Sequence, residues 1–217
     1  MVMFAIGIIT ARREKRINYL PHSLRELRNG GFSETINIFA EPYSPVQNFV
    51  NCKLLSHHKK LGNANNWLFA LNFLLKNTQD DWIVISEDDI SCKSNAYQKI
   101  KDFASSLDHQ IGYISGFTSE YYFLKDVFTG KKKDWIEFNP GLNAYGNQFY
   151  VMPRVSAQLL LDQSKDYFNQ FEEYKKETRG VDFIVSTFFE KNKLPCYYPI
   201  PSLFDHVADA VFHGYLY

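Results

Sequence analysis

Four short apolar runs alternate with three amphipathic segments in the first half of the chain, and this alternation restricts the fold more than any other feature. The runs are Met3–Ile9, Thr35–Ala40, Asp81–Ser86 with Trp82-Ile83-Val84-Ile85 at its heart, and Ile111–Ile114. None has a 3.6-residue period, and their near-continuous apolar character suits strands covered on both faces. Between them, Leu20, Leu24 and Leu27 fall on one helical face, with Pro21 in the first turn and Gly30-Gly31 at the end. Ala64, Trp67, Leu68, Leu71, Leu74 and Leu75 do the same within Asn63–Lys76, as do Ala96, Ile100, Phe103, Ala104 and Leu107 within Ser94–Leu107. The order β-α-β-α-β-α-β predicts an α/β domain with right-handed crossovers and a mainly parallel central sheet.

The later sequence is less regular. Residues 43–62 read as a polar, irregular connection. Tyr121–Asn143 is aromatic and basic, with Lys131-Lys132-Lys133 at its centre, and reads as a hairpin or a loop. Gly146–Met152 alternates like a strand, Pro153-Arg154 opens a helix that runs through Leu161, and Gly180–Phe189 reads as a further helix. No linker interrupts the chain, so residues 1–217 are expected to form one domain with a first half, 1–117, and a second half, 118–217.

Composition excludes several classes. Of 217 residues, 45% are hydrophobic and 22% charged, which excludes a disordered chain, a coiled coil and a collagen-like repeat. Twenty-four basic residues balance 24 acidic ones, so no global field draws the chain to nucleic acid or to an anionic membrane. Cys52, Cys92 and Cys196 share no Cys-x-x-Cys spacing, which points away from zinc ribbons and disulfide frameworks and toward a reducing compartment. No apolar run reaches the ~18 residues of a membrane span. The N-terminal apolar run precedes its arginines, the reverse of a signal peptide, so the expected location is cytoplasmic. There is no Gly-x-Gly-x-x-Gly, no Gly-Lys-Ser/Thr phosphate loop and no Gly-x-Ser-x-Gly elbow.

Chemistry concentrates where strands end. Trp82–Ser86 empties directly into Glu87-Asp88-Asp89, three carboxylates at the carboxyl end of a buried strand, the edge at which open α/β sheets bind ligands. Adjacent carboxylates repel, and a hard divalent cation such as Mn²⁺ or Mg²⁺ relieves that repulsion while bridging phosphates. The first strand ends in Thr10-Ala11-Arg12-Arg13, where a hydroxyl and guanidinium groups suit a ribose or a phosphate. Lys59-Lys60-Leu61-Gly62-Asn63-Ala64-Asn65-Asn66 offers backbone and amide donors at a helix start. Asp182 opens a later helix and fits either a general base or a plain first-turn acid that complements the helix dipole. His206 follows a proline-fixed segment and fits either a metal ligand or a structural histidine.

Taken in order, Thr10-x-Arg12-Arg13, Gly62-Asn63-Ala64-Asn65-Asn66-Trp67, Glu87-Asp88-Asp89, Tyr145–Tyr150 leading to Pro153-Arg154, Gly180-Val181-Asp182 and Pro201–His206 resemble glycosyltransferases of the GT-A fold. The resemblance runs from Met3 to His206 and implies a Rossmann-like, three-layer α/β domain. In that family an acidic motif, often Asp-x-Asp, holds the metal and the donor diphosphate; here a glutamate stands first. The resemblance implies that Asp89 and His206 bind Mn²⁺ or Mg²⁺. It further implies that Thr10, Arg12, Arg13, Glu41, Gly62, Asn63, Asn66, Glu87 and Asp88 contact a nucleotide-sugar, with UDP as the default nucleotide. Asp182 matches the base of inverting members and loses that role if transfer retains configuration. Two acceptor classes fit: a glycan or polymer hydroxyl, or a hydroxymethylated pyrimidine in phage DNA, for which Lys131–Lys133 supply local charge. The third expectation is a protein that binds a nucleotide-sugar or a glycan without turnover.

Overall fold

A computed structural model of the chain describes residues 2–12, 18–119, 128–132, 134–138, 148–163 and 180–207. The first half comprises β1 (Phe4–Thr10), α1 (Leu20–Asn29), β2 (Ile36–Ala40), β3 (Cys52–Ser56), α2 (Asn63–Asn77), β4 (Trp82–Ser86), β5 (Ile90–Cys92), α3 (Ala96–Ser106) and β6 (Tyr113–Ser115). The second half adds β7 (Phe128–Lys132), β8 (Trp135–Phe138), β9 (Phe149–Pro153), α4 (Arg154–Gln163), α5 (Val181–Lys191), β10 (Cys196–Pro199) and β11 (Phe204–His206). Arg13, Lys133 and the Tyr145-Gly146-Asn147 segment lie outside the described residues.

One large mixed sheet runs in the order β3-β2-β1-β4-β9-β6-β10-β8-β7. Its β3-β2-β1-β4 portion is wholly parallel. Past β4 the sense changes, because β9 lies antiparallel between β4 and β6. Strand β10 then runs parallel to β6 and antiparallel to β8.

The apolar runs are buried on both faces, as their lack of polar alternation predicts. On β1, Phe4, Ile6 and Ile8 pack into one hydrophobic cluster while Ala5 and Ile9 pack into the other. On β4, Trp82 and Val84 face one cluster, and Ile83 and Ile85 face the opposite one. Helices α1 and α3 cover the first face; α2, α4 and α5 cover the second. Each fully buried Trp67, Leu71 and Leu74 of α2 contributes about 2 kcal/mol of transfer free energy. Gly7 lets α2 approach the sheet closely, since a Cβ there would lie 2.9 Å from the Phe39 ring and 3.0 Å from Leu74 Cδ1.

Four strands fall where the sequence shows none. β3 lies inside the stretch that reads as irregular; it is an edge strand, half-exposed, and Lys53 interrupts its apolar character. β10 ends in Pro199 within a proline-rich segment, yet its residues are buried and pair on both sides. β5 and β11 form a separate two-stranded ladder of three residues each, too short for any periodicity to register. The basic stretch that reads as hairpin or loop contains the antiparallel β7–β8 hairpin, with Lys131 and Lys132 on the outermost strand.

Candidate functional site

The parallel strands β1, β2 and β4 end along one edge, and a cleft of about 790 Å³ opens there. Its wall draws Thr10, Ala11 and Arg12 from the end of β1, and Glu41, Pro42 and Tyr43 from the end of β2. His58, Lys59, Lys60, Gly62, Asn63 and Asn66 come from the approach to α2, and Glu87, Asp88 and Asp89 from the end of β4. His206 arrives from β11. Residues from Ile9 to His206 therefore share one concave surface, because the crossovers return the chain to the same sheet edge.

The acidic turn is held from several sides. The Thr10 hydroxyl donates to Asp88 Oδ2 at 2.5 Å. The Glu87 N–H and the Ser86 hydroxyl both reach the Gln148 carbonyl, tying the turn to the start of β9. His206 Nε2 lies 2.9 Å from Asp89 Oδ2, and the Val207 N–H donates to the Asp89 carbonyl at 2.8 Å. This pairing follows from the β5–β11 ladder, in which Ile90 sits opposite His206. The ladder carries a distant histidine to the acidic turn.

Asp88 and Asp89 are buried, at 4% and 2% exposure, and Glu87 is partly buried. Burial, the largest cause, and the neighbouring charges together raise the Glu87 carboxyl from its ordinary 4.5 to about 7. Among those charges Asp89 and, less strongly, Asp88 raise it, against opposing contributions from His206 and from the Asn63 amide, whose Nδ2 lies 3.3 Å from Glu87 Oε1. A bound cation would reverse this balance by favouring the ionised carboxylate.

Glu87, Asp89 and His206 each offer a ligand atom, all within 4.8 Å of one another, and can together hold a metal ion. Donor atoms about 2.1 Å from an octahedral ion lie roughly 3 Å apart when adjacent and roughly 4.2 Å apart when opposite. Ligand atoms up to 4.8 Å apart would close by up to about 2 Å to take adjacent positions on such an ion. Asp88 stands outside this set, with Oδ2 engaged by Thr10.

Other predicted residues are present in the cleft with their polar atoms already engaged. Glu41, 5% exposed, accepts the Leu61 N–H at 3.0 Å and the Gly62 N–H at 2.8 Å, so it pins the loop ahead of α2. Gly62 occupies a left-handed conformation (φ 80°) as the N-cap of that helix, where its missing Cβ avoids strain. Asn66 donates to the Phe39 carbonyl at 3.1 Å and its Oδ1 lies 2.9 Å from His57 Nε2, joining α2 to β2 and to the residue after β3. Arg12 is exposed on the wall.

Asp182 is not among the described residues lining the cleft. It sits in the first turn of α5, where its Oδ1 accepts the Phe183 N–H at 2.9 Å. Because α5 leads through residues 192–195 into β10, which runs parallel to β6, the N-terminus of α5 points toward the same sheet edge as the cleft.

Two contributors escape sequence reasoning. Ser23, on α1, hydrogen-bonds the backbone of the acidic turn. Tyr43 is 86% exposed on the cleft wall with φ of 63°, an uncommon conformation for a bulky residue. No local signal marks Ser23, since its contact spans 67 residues; Pro42 next to Tyr43 is a turn signal but says nothing of the handedness. No described helix is long and apolar enough to cross a membrane. No protein-family model matches the sequence, and no curated protein matches it.

Proposed function

We propose that the chain is a metal-dependent glycosyltransferase that moves a sugar from a nucleotide-sugar, by default a UDP-sugar, to an acceptor hydroxyl on a glycan or polymer. The observation that carries this reading is the convergence of Glu87, Asp89 and His206 at the carboxyl end of β4, inside the cleft. The cleft volume lies within the range of small-molecule sites. Its reach from Glu41 to the acidic turn spans two strand spacings, roughly 10 Å, which accommodates a nucleotide lying across the strand ends. Arg12, Lys59 and Lys60 on the wall supply fixed positive charge for phosphate oxygens. An imidazole beside two carboxylates favours Mn²⁺ over Mg²⁺, which prefers oxygen alone.

A divalent cation held by Glu87, Asp89 and His206 would neutralise charge that builds on the departing nucleoside diphosphate. The acceptor oxygen attacks the anomeric carbon, the bond from that carbon to the diphosphate breaks, and the acceptor proton passes to the Asp182 carboxylate. Asp182, in the first turn of α5, takes this role through its match to the base of inverting enzymes.

Nucleoside diphosphate release from a panel of UDP-, GDP- and TDP-sugars, with Mn²⁺ or with EDTA, tests the reading. The expected result is release with one donor that requires Mn²⁺ and is lost in Asp89→Ala. Addition of envelope glycans or of hydroxymethylated DNA then distinguishes the two acceptor classes by which one accelerates release. If no donor is turned over and no nucleotide with Mn²⁺ raises the thermal midpoint, the reading falls.

A further inference from the structure

Asp89 carries its carboxylate into the metal cluster, and its backbone conformation sets where that carboxylate points. The peptide plane before it carries the Asp88 carbonyl; the plane after it carries the Ile90 N–H. One side chain engages both. Ser23, fully buried on α1, accepts the Ile90 N–H at 3.0 Å, and its Oγ lies within donating distance of the Asp88 carbonyl at 2.8 Å and the Ile90 carbonyl at 2.9 Å. A hydroxyl has one proton to donate and two lone pairs, so a single Ser23 can bond across Asp89 in this way. It does so from outside the cleft wall, from a helix that packs against β5.

We infer that Ser23 is a positioning residue for the metal site: it holds the two peptide planes that flank Asp89 and so aims the Asp89 carboxylate at Glu87 and His206. This rests on the metal-dependent reading above. The β11 side supports the opposite flank, where the Val207 N–H meets the Asp89 carbonyl and His206 meets Oδ2. Asp89 is thus gripped between α1 and β11, and Ser23 is the only side-chain contribution from α1 that the described contacts place on the turn's backbone. Groups that orient a metal ligand without touching the metal typically change affinity by about 10- to 100-fold when removed. A serine that only stabilised the helix packing would lower the thermal midpoint and leave metal affinity alone.

The test measures Mn²⁺ binding directly, by titration calorimetry or by loss of the free-ion magnetic resonance signal, on full-length protein without any donor. Ser23→Ala is compared with Ser156→Ala, which removes another fully buried serine hydroxyl that donates to the Ile111 carbonyl away from the cleft. The expected result is an Mn²⁺ affinity lowered about 10-fold or more in Ser23→Ala and unchanged in Ser156→Ala, with comparable losses in thermal midpoint. Should Ser23→Ala not fold, Ser23→Cys keeps the size with a weaker hydrogen-bonding group and is expected to weaken Mn²⁺ binding as well. Wild-type Mn²⁺ affinity in either folded Ser23 variant overturns the proposal while leaving the metal reading intact. Absence of Mn²⁺ binding to the wild-type protein overturns both.

Discussion

The two ends of β4 carry polar groups of opposite design. At its amino end the Arg154 guanidinium donates to the Asp80 carbonyl at 2.7 Å, to the Leu75 carbonyl at 2.9 Å and to the Thr78 hydroxyl at 2.8 Å. Its N–H groups are spent on the loop that closes α2 and leads into β4. At the carboxyl end, Glu87, Asp88 and Asp89 are crowded beside one imidazole, and burial together with mutual repulsion drives Glu87 to about 7. The first arrangement is complete without anything added. The second is at its least favourable when all three acids are ionised, which is the condition that a cation relieves.

Exchanging the two ends' key residues should separate these roles. Asp89→Ala is expected to weaken Mn²⁺ binding by about 100-fold or more while leaving the thermal midpoint in EDTA nearly unchanged, because it removes a ligand and a source of repulsion together. Arg154→Met should do the reverse. It leaves three acceptors short of a donor and costs about 2–3 kcal/mol in denaturant unfolding, with Mn²⁺ affinity kept. Loss of metal binding in Arg154→Met would break the comparison.

A smaller effect sharpens it through pH. In the unfolded chain Glu87 ionises near its ordinary 4.5, whereas in the folded, metal-free protein it does so at about 7. The folded state therefore holds this proton more tightly. The resulting stability is fully present below pH 4.5 and is lost as pH rises through 7. In EDTA the wild-type thermal midpoint should rise from pH 8 to pH 6 relative to Glu87→Gln, by an amount worth about 1–2 kcal/mol after allowing for partial exposure. Saturating Mn²⁺ across the same pH range should abolish this rise in the wild-type protein, because the bound ion keeps Glu87 ionised. Parallel pH profiles for the two proteins in EDTA would remove the electrostatic basis of the comparison.

The smallest effect lies far from the cleft. Lys193 follows the C-cap of α5 at φ 55°, where its N–H reaches the Glu190 carbonyl and the Leu194 N–H reaches the Phe189 carbonyl. Glycine suits that left-handed position better, so Lys193→Gly should raise stability by up to about 1 kcal/mol, read from the denaturant midpoint, with Mn²⁺ affinity unmoved. A gain in this variant shows that strain in the fold is separable from the cost of the acidic turn.

How legible the molecule is in its sequence depends on the range of the interaction. Strands β1, β2, β4 and β6 are plain because both faces are buried, which leaves uninterrupted apolar runs such as Trp82–Ile85. Helices α1, α2 and α3 are plain because one face is buried and a 3.6-residue stripe results. β3 is hidden because an edge strand needs no apolar run, and β5 and β11 because three residues hold no period. The acidic turn stands out locally, since Glu87, Asp88 and Asp89 are adjacent in sequence and follow a buried strand.

By itself, then, the sequence determines the α/β alternation and the strand whose carboxyl end bears the acids, because these follow from spacing within single elements, whereas Asp89 and His206 enter as candidate ligands only through the resemblance of the motif order. Tertiary structure alone decides which of them meet. It pairs β11 with β5 so that His206 stands 2.9 Å from Asp89, and it turns Glu41 and Asn66 onto backbone groups of the cleft wall. It also brings Ser23 across 67 residues to the turn. Those outcomes depend on strand order and helix packing, which arise from burying two faces of one sheet at once and leave no trace in any local window of residues.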